Sequence, residues 1–285
     1  MRTSPQIWYP HSMRDIRLVA CDMDGTFLTS SRTPHPANIQ AARNLANRGV
    51  IFCLASGRGI ITMRPLLAEL GQKGPLVSSN GALVTGLNNE TVFEAELSSS
   101  ITGVILDYAE AKNIHVNRYH QDSITFSQSG RFADLYASRT GLTPIIEPIN
   151  SMRQSPATKL LFIAEPDQIL SATAELQKNS TLKTTSLVNS EPDYLEFLPG
   201  GINKGLGLQE LAAHLDIPPA HIAAIGDWYN DLEMLQWVGY PACVSNAAPE
   251  ILQISQYKLP TNDEAGVSTF LNAIIEAKSE GIVLP

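Results

Sequence analysis

The stretch IRLVACDMDGT, residues 16–26, decides the fold, because an apolar run ends there in two aspartates and a glycine. An apolar run stopped by Gly25 is typical of a buried strand in a parallel sheet. Such sheets bind ligands at the carboxyl ends of their strands, and the strand period of two sends the Asp22 and Asp24 side chains to the same side. Two carboxylates this close repel, so they need a cation or a shared proton. Alternatively, Asp24-Gly25 is only a turn, since both residue types are common in turns.

Helices and strands alternate on either side of a long central segment. Near the first strand the spacing predicts a helix over 36–48, a strand over 50–55 and a helix over 61–70. The alternation resumes with a helix over 204–215 and a buried strand over 222–225. This order is typical of an α/β fold with a doubly wound parallel sheet.

The central segment has a different character. Short runs such as 114–117 and 194–197 alternate apolar and polar residues, which is typical of an antiparallel sheet with one exposed face. We therefore predict a core made of residues 15–83 and 200–285, with an inserted α+β cap domain over 84–199.

Composition excludes several functions. The 285 residues carry a net charge of −8, which argues against nucleic acid as a partner, and no apolar run is long enough to span a bilayer. Residues 1–14 are predicted to be an N-terminal tail without the apolar centre of a secretory signal, of which 1–12 are either a misassigned start or a loose tail. The cysteines lie in apolar runs without CxxC spacing, which indicates buried free thiols and predicts a cytoplasmic protein: Cys21, Cys53 and Cys243.

Two further polar sites adjoin predicted core elements. Ser56 and Gly57 follow a strand and offer a hydroxyl and backbone N–H groups, which suit phosphate oxygens, although a Ser-Gly pair after a strand is by itself more often a helix cap. Lys204 stands near a helix start, where the helix dipole disfavours a cation. It is therefore either held there for an anion or simply a solvated surface residue.

The last polar site is GDWYND, residues 226–231, directly after the predicted strand 222–225. Asp227, Asp231 and Asn230 bring two carboxylates and an amide to this strand end. Oxygen ligands of this kind suit Mg²⁺, although Asp231 by itself could be only a favourable charge at a helix start.

Taken together, the motifs resemble those of the haloacid dehalogenase superfamily of phosphohydrolases, in the Cof-like subfamily with an inserted α/β (type IIB) cap. The matching motifs are DMDGT at 22–26, SGR at 56–58, NKG at 203–205 and GDWYND at 226–231. Their order is far more specific than any one of them, and the insertion lies between the second and the third.

The resemblance implies a role for each residue. Asp22 would be the nucleophile that forms an aspartyl-phosphate, and Asp24 the general acid and then base, which requires Asp22 ionised and Asp24 protonated at the start. Mg²⁺ would be bound by Asp22, the backbone carbonyl of Asp24 and Asp227. Asp231 would not bind the metal itself but would orient Lys204 or metal-bound water. The phosphoryl oxygens would be held by Ser56, Lys204, Asn230 and the backbone N–H groups of Met23 and Gly57.

We therefore expect a Mg²⁺-dependent phosphatase, monomeric or homodimeric, acting on a small phosphorylated metabolite such as a sugar phosphate or a nucleotide-like cofactor. Two alternatives remain at this point: a phosphosugar mutase, and a non-catalytic sensor of phosphate ligands. Cap residues that could set specificity include His115, Asn117, Tyr119 and His120, but a polar outer sheet face explains them equally well.

Overall fold

The computed structural model describes residues 11–279 of the chain. Its strands, numbered in chain order, are β1 (Leu18–Asp22), β2 (Ile51–Ala55), β3 (Leu76–Ser78), β4 (Leu83–Thr85), β5 (Thr91–Glu94), β6 (His115–His120), β7 (Ser123–Phe126), β8 (Ile145–Ile146), β9 (Lys159–Ile163), β10 (Thr185–Val188), β11 (Tyr194–Pro199), β12 (Ile222–Gly226), β13 (Tyr240–Val244) and β14 (Tyr257–Leu259). The α-helices are α1 (Pro36–Ala46), α2 (Ile60–Glu69), α3 (Ser99–Lys112), α4 (Arg131–Thr140), α5 (Ile149–Met152), α6 (Pro166–Leu176), α7 (Lys204–His214), α8 (Leu232–Trp237), α9 (Pro249–Ile254) and α10 (Gly266–Ser279).

The chain divides into two compact units. The first contains the described parts of residues 1–55, 68–72 and 212–285, and the second contains residues 56–67 and 73–211. Each is described separately below. The predicted cap boundaries, 84 and 199, stay a prediction.

The first unit is built on parallel strands in the order β14-β13-β12-β1-β2. Every residue of β1 is buried, as a central strand covered on both faces requires. Cys21 of β1 lies opposite Ile225 of β12, so these two strands end at the same level. Asp22 and Asp227 consequently stand at the same edge of the sheet.

The described part of the predicted tail 1–14 packs against α10. Residues 11–15 form a 3₁₀ turn, and the Met13 side chain is fully buried. This turn is tied to α10, because Arg14 Nε donates to the Ala277 carbonyl at 3.1 Å and Lys278 Nζ donates to the Arg14 carbonyl at 2.8 Å. The part of the tail prediction that concerns residues 1–10 lies outside the described residues.

The second unit contains β3, β4 and β5, which pair antiparallel, and a six-stranded sheet in the order β10-β11-β9-β6-β7-β8. All neighbouring strands of the six-stranded sheet are antiparallel except β7 and β8. The prediction that this sheet has one exposed face is wrong. Successive β9 residues, Leu161 and Phe162, belong to two different buried clusters, so both faces are covered.

The cover comes from helices on both sides, with α3 and α6 contributing to one cluster and α4 to the other. The polar strand residues His115, Asn117, Tyr119 and Glu196 are therefore buried instead of facing solvent. His115 and Asn117 meet part of each other's hydrogen-bonding need, since His115 Nε2 lies 2.8 Å from Asn117 Oδ1. A solvent-facing polar side of the sheet therefore does not explain why these strand residues are polar.

The predicted α/β class, with a parallel-dominated central sheet and a second α+β region, is confirmed. Cys21, Cys53 and Cys243 are buried, as predicted, and none of them forms a disulfide within residues 11–279. In the stretch from residue 11 to residue 279, no helix combines the length and apolar character that crossing a membrane requires.

Candidate active site

Three carboxylates meet at the strand ends of the first unit. Asp22, Asp227 and Asp231, here called the carboxylate triad, each place one oxygen within 4.8 Å of the others, and all three side chains are buried. Carboxylates held this close out of water repel one another strongly. Hard oxygen donors in such a cluster fit a divalent cation such as Mg²⁺.

Hydrogen bonds fix the orientation of the triad. The Thr26 hydroxyl donates to Asp227 Oδ1 at 2.6 Å. Asp231 Oδ2 accepts the backbone N–H groups of Asp227 at 2.9 Å and Trp228 at 3.1 Å, which fixes the loop that carries Asp227. Asp231 thus organises this loop directly.

The turn after β1 approaches Asp227 closely. Gly25 has a φ of +82°, and a Cβ built on it would lie 2.5 Å from Asp227 Oδ2. Glycine is therefore required both by the backbone conformation and by the space.

The other predicted site residues of this unit are close in sequence to members of the triad. Asp24 is exposed on the turn after β1. The Met23 side chain is buried, which leaves its backbone N–H as the group that could meet a ligand. Asn230 is half-buried in the 3₁₀ turn Tyr229–Asp231.

The second unit holds Ser56, Gly57 and Lys204. Ser56 is buried, its N–H donates to the Val77 carbonyl at 2.8 Å, and its carbonyl accepts from Asn80 N–H at 3.0 Å. Its Oγ accepts the Arg58 N–H at 3.2 Å. The loop that contains Ser56, Gly57 and Arg58 is therefore a defined backbone turn.

Lys204 is the first residue of α7 and is 1% exposed, so the surface interpretation of this lysine is wrong. The start of α7 packs on the turn Ser79–Gly81, because a Cβ on Gly81 would lie 2.2 Å from the Asn203 carbonyl oxygen. The neighbouring Asn80 bonds to Ser56, as described above. The turn at 79–81 thus connects the Ser56 loop to the helix that begins with Lys204.

The sequence pattern assigned no role to three buried residues near these loops: Thr26, Lys159 and Glu196. Thr26 belongs to the DMDGT motif, so its position gave a signal. Lys159 and Glu196 lie on strands of the six-stranded sheet and form an ion pair at 3.1 Å. Glu196 alternates with apolar neighbours, which suggested solvent exposure and concealed it, whereas Lys159 stands before a continuous apolar run that gave no signal.

Residues 19–271 match the family described as haloacid dehalogenase-like hydrolase. Among curated proteins, the chain is 31% identical to an HMP-PP phosphatase of Cronobacter sakazakii, over 83% of this chain and 86% of that protein. It is 28% identical to an HMP-PP phosphatase of Yersinia pseudotuberculosis, with the same two coverages.

Among solved structures, a haloacid dehalogenase-like hydrolase from Bacteroides thetaiotaomicron superposes with a TM-score of 0.83 and 26% identity, covering 91% of this chain and 99% of that one. The match spans both units. The chain therefore belongs to the haloacid dehalogenase-like hydrolases and is a phosphatase of that family.

Proposed function

We propose that this chain is a Mg²⁺-dependent phosphatase that hydrolyses small phosphomonoesters through an aspartyl-phosphate. The observation that carries the proposal is the buried carboxylate triad at the ends of β1 and β12. A buried cluster of like charges is costly unless a cation neutralises it, so its presence favours a metal-dependent site.

In the first step a carboxylate oxygen of Asp22 attacks phosphorus while the bond to the leaving oxygen breaks. Asp24 gives its proton to that oxygen, so an alcohol departs. In the second step Asp24, now a carboxylate, takes a proton from water. The water oxygen then attacks phosphorus, which releases inorganic phosphate and regenerates Asp22.

The chain's other groups position the phosphoryl group. Asp22, the Asp24 backbone carbonyl and Asp227 would hold Mg²⁺, which supplies positive charge between the anionic nucleophile and the anionic phosphate. In this proposal the phosphoryl oxygens are held by Ser56, Lys204, Asn230 and the N–H groups of Met23 and Gly57. Phosphoryl transfer depends mainly on such positioning and charge stabilisation. Asp231 supports the site indirectly, by fixing the loop that carries Asp227.

The substrate is proposed to be a small phosphorylated metabolite, with sugar phosphates and nucleotide-like cofactors as the leading classes. The curated relatives named HMP-PP phosphatase make HMP-PP a further compound to test. A panel of these compounds, assayed for phosphate release with Mg²⁺, would rank them. Recovery of an isomerised sugar phosphate in place of free phosphate would instead favour a mutase.

The mechanism is tested with Asp22→Asn, a nearly isosteric change that removes the nucleophile. We expect phosphate release from an aryl phosphate to fall by several orders of magnitude, the usual effect of losing a nucleophile. Asp167→Asn, at an exposed position of α6, is the matched control and should retain activity. Substantial Mg²⁺-dependent turnover by Asp22→Asn would exclude the proposed mechanism.

A further inference from the structure

Lys159, at the start of β9, is a buried cation whose bonds lead to the Ser56 loop. Its side chain is 2% exposed, so the ammonium group needs partners inside the protein. Nζ donates to the Gly57 carbonyl at 2.7 Å and to Glu196 Oε2 at 3.1 Å, and it lies 4.1 Å from the centre of the Tyr119 ring. An ammonium group has three N–H bonds, and these three contacts account for them.

Glu196, the partner of Lys159, is itself held on both oxygens. Its Oε2 also accepts from Asn80 Nδ2 at 3.2 Å, while Oε1 accepts from the Ser190 hydroxyl at 2.7 Å. The carboxylate cannot rotate without breaking one of these bonds. Lys159 is therefore held by a fixed carboxylate as well as by the Gly57 carbonyl.

The contact at the Gly57 carbonyl also affects the N–H group of the next residue. The Gly57 C=O and the Arg58 N–H are the two ends of one planar peptide unit. A donor that fixes the carbonyl end therefore also fixes the direction of the N–H end. That N–H donates to Ser56 Oγ at 3.2 Å, so the Ser56 oxygen acts as an acceptor within the loop.

We propose that Lys159 is a positioning residue for phosphate binding, acting through the 57–58 peptide on Ser56. With its oxygen occupied by the Arg58 N–H, Ser56 directs its own O–H proton away from the loop and toward a phosphoryl oxygen. Because Glu196 neutralises Lys159, the effect comes from geometry and not from added positive charge. The inference rests on the proposed role of Ser56 in phosphate binding.

The test compares Lys159→Met/Glu196→Gln with the wild-type protein. Lys159→Met by itself would leave a buried carboxylate without its cation and could unfold the protein, so the paired variant avoids that charge. Binding of inorganic phosphate, measured by calorimetry with Mg²⁺ present, and steady-state kinetics are the two readouts. We expect the phosphate Kd and KM to rise about tenfold, as for loss of one hydrogen bond to a charged group, with a smaller change in kcat.

The same comparison is then made in the Ser56→Ala background. If Lys159 acts through Ser56, the paired substitution should leave the phosphate Kd and KM nearly unchanged when the Ser56 hydroxyl is absent. An equal effect in both backgrounds, or no effect in either, would overturn the inference, because a purely structural lysine does not depend on Ser56. Failure of the proposed function has a different signature: wild-type protein that releases no phosphate from any ester.

Discussion

Gly25→Ala tests whether the position of the Asp227 carboxylate determines activity. The added Cβ would lie 2.5 Å from Asp227 Oδ2, so this oxygen must move back by about 0.9 Å to reach 3.4 Å, an ordinary contact distance. Such a movement strains the 2.6 Å bond from the Thr26 hydroxyl. Displacements of about 1 Å in a catalytic site cost roughly 10²-fold in rate, so we expect kcat/KM for phosphate release to fall by about that factor.

Gly49→Ala is the matched control, because Gly49 has a similar φ of +73° but nothing within 4 Å of the added Cβ. Both variants should lose about 1–2 kcal/mol of unfolding free energy from the left-handed backbone, measured by denaturant titration. Only Gly25→Ala should lose activity and require more Mg²⁺. Equal activities in the two variants would refute the argument that steric displacement of Asp227 matters.

Two further predictions concern single buried groups. Thr26→Val removes the donor to Asp227 and should raise the Mg²⁺ concentration for half-maximal phosphate release by about 10–100-fold, whereas Thr26→Ser, which keeps the hydroxyl, should stay close to wild type. Burial lowers the pKa of His115 from its usual 6.5, despite the opposing bond from Asn117. The unfolded chain therefore binds the proton more readily, and stability present above pH 6.5 is lost as the pH falls below it, by at most about 1.4 kcal/mol per pH unit. Unfolding titrations at several pH values should show this loss diminished in His115→Gln and unchanged in the exposed control His214→Gln.

The sequence was sufficient for the parts of the site that are encoded locally. Asp22 ends one buried strand and Asp227 follows another, and the alternation of strands and helices predicted that these strands are parallel. Lys159 and Glu196 were beyond reach, because the sequence does not indicate which strands of the central segment are neighbours, and their ion pair depends on the pairing of β9 with β11. A charged residue at an alternating strand position, such as Glu196, normally faces water, and its burial follows from contacts with Asn80 and Ser190 that the sequence does not predict.

The buried charged residues of the two units have different roles. The carboxylate triad gathers three groups of like sign, an arrangement that favours binding a cation over stability of the fold. Lys159 and Glu196 instead neutralise each other, and their remaining hydrogen-bonding capacity is directed at backbone and side-chain partners in the same unit. A neutral buried pair contributes little net attraction for an anion but fixes the atoms bonded to it. Substitutions in the triad should therefore act on the metal and the chemical step, whereas substitutions in the Lys159–Glu196 pair should act on the geometry with which Ser56 meets phosphate.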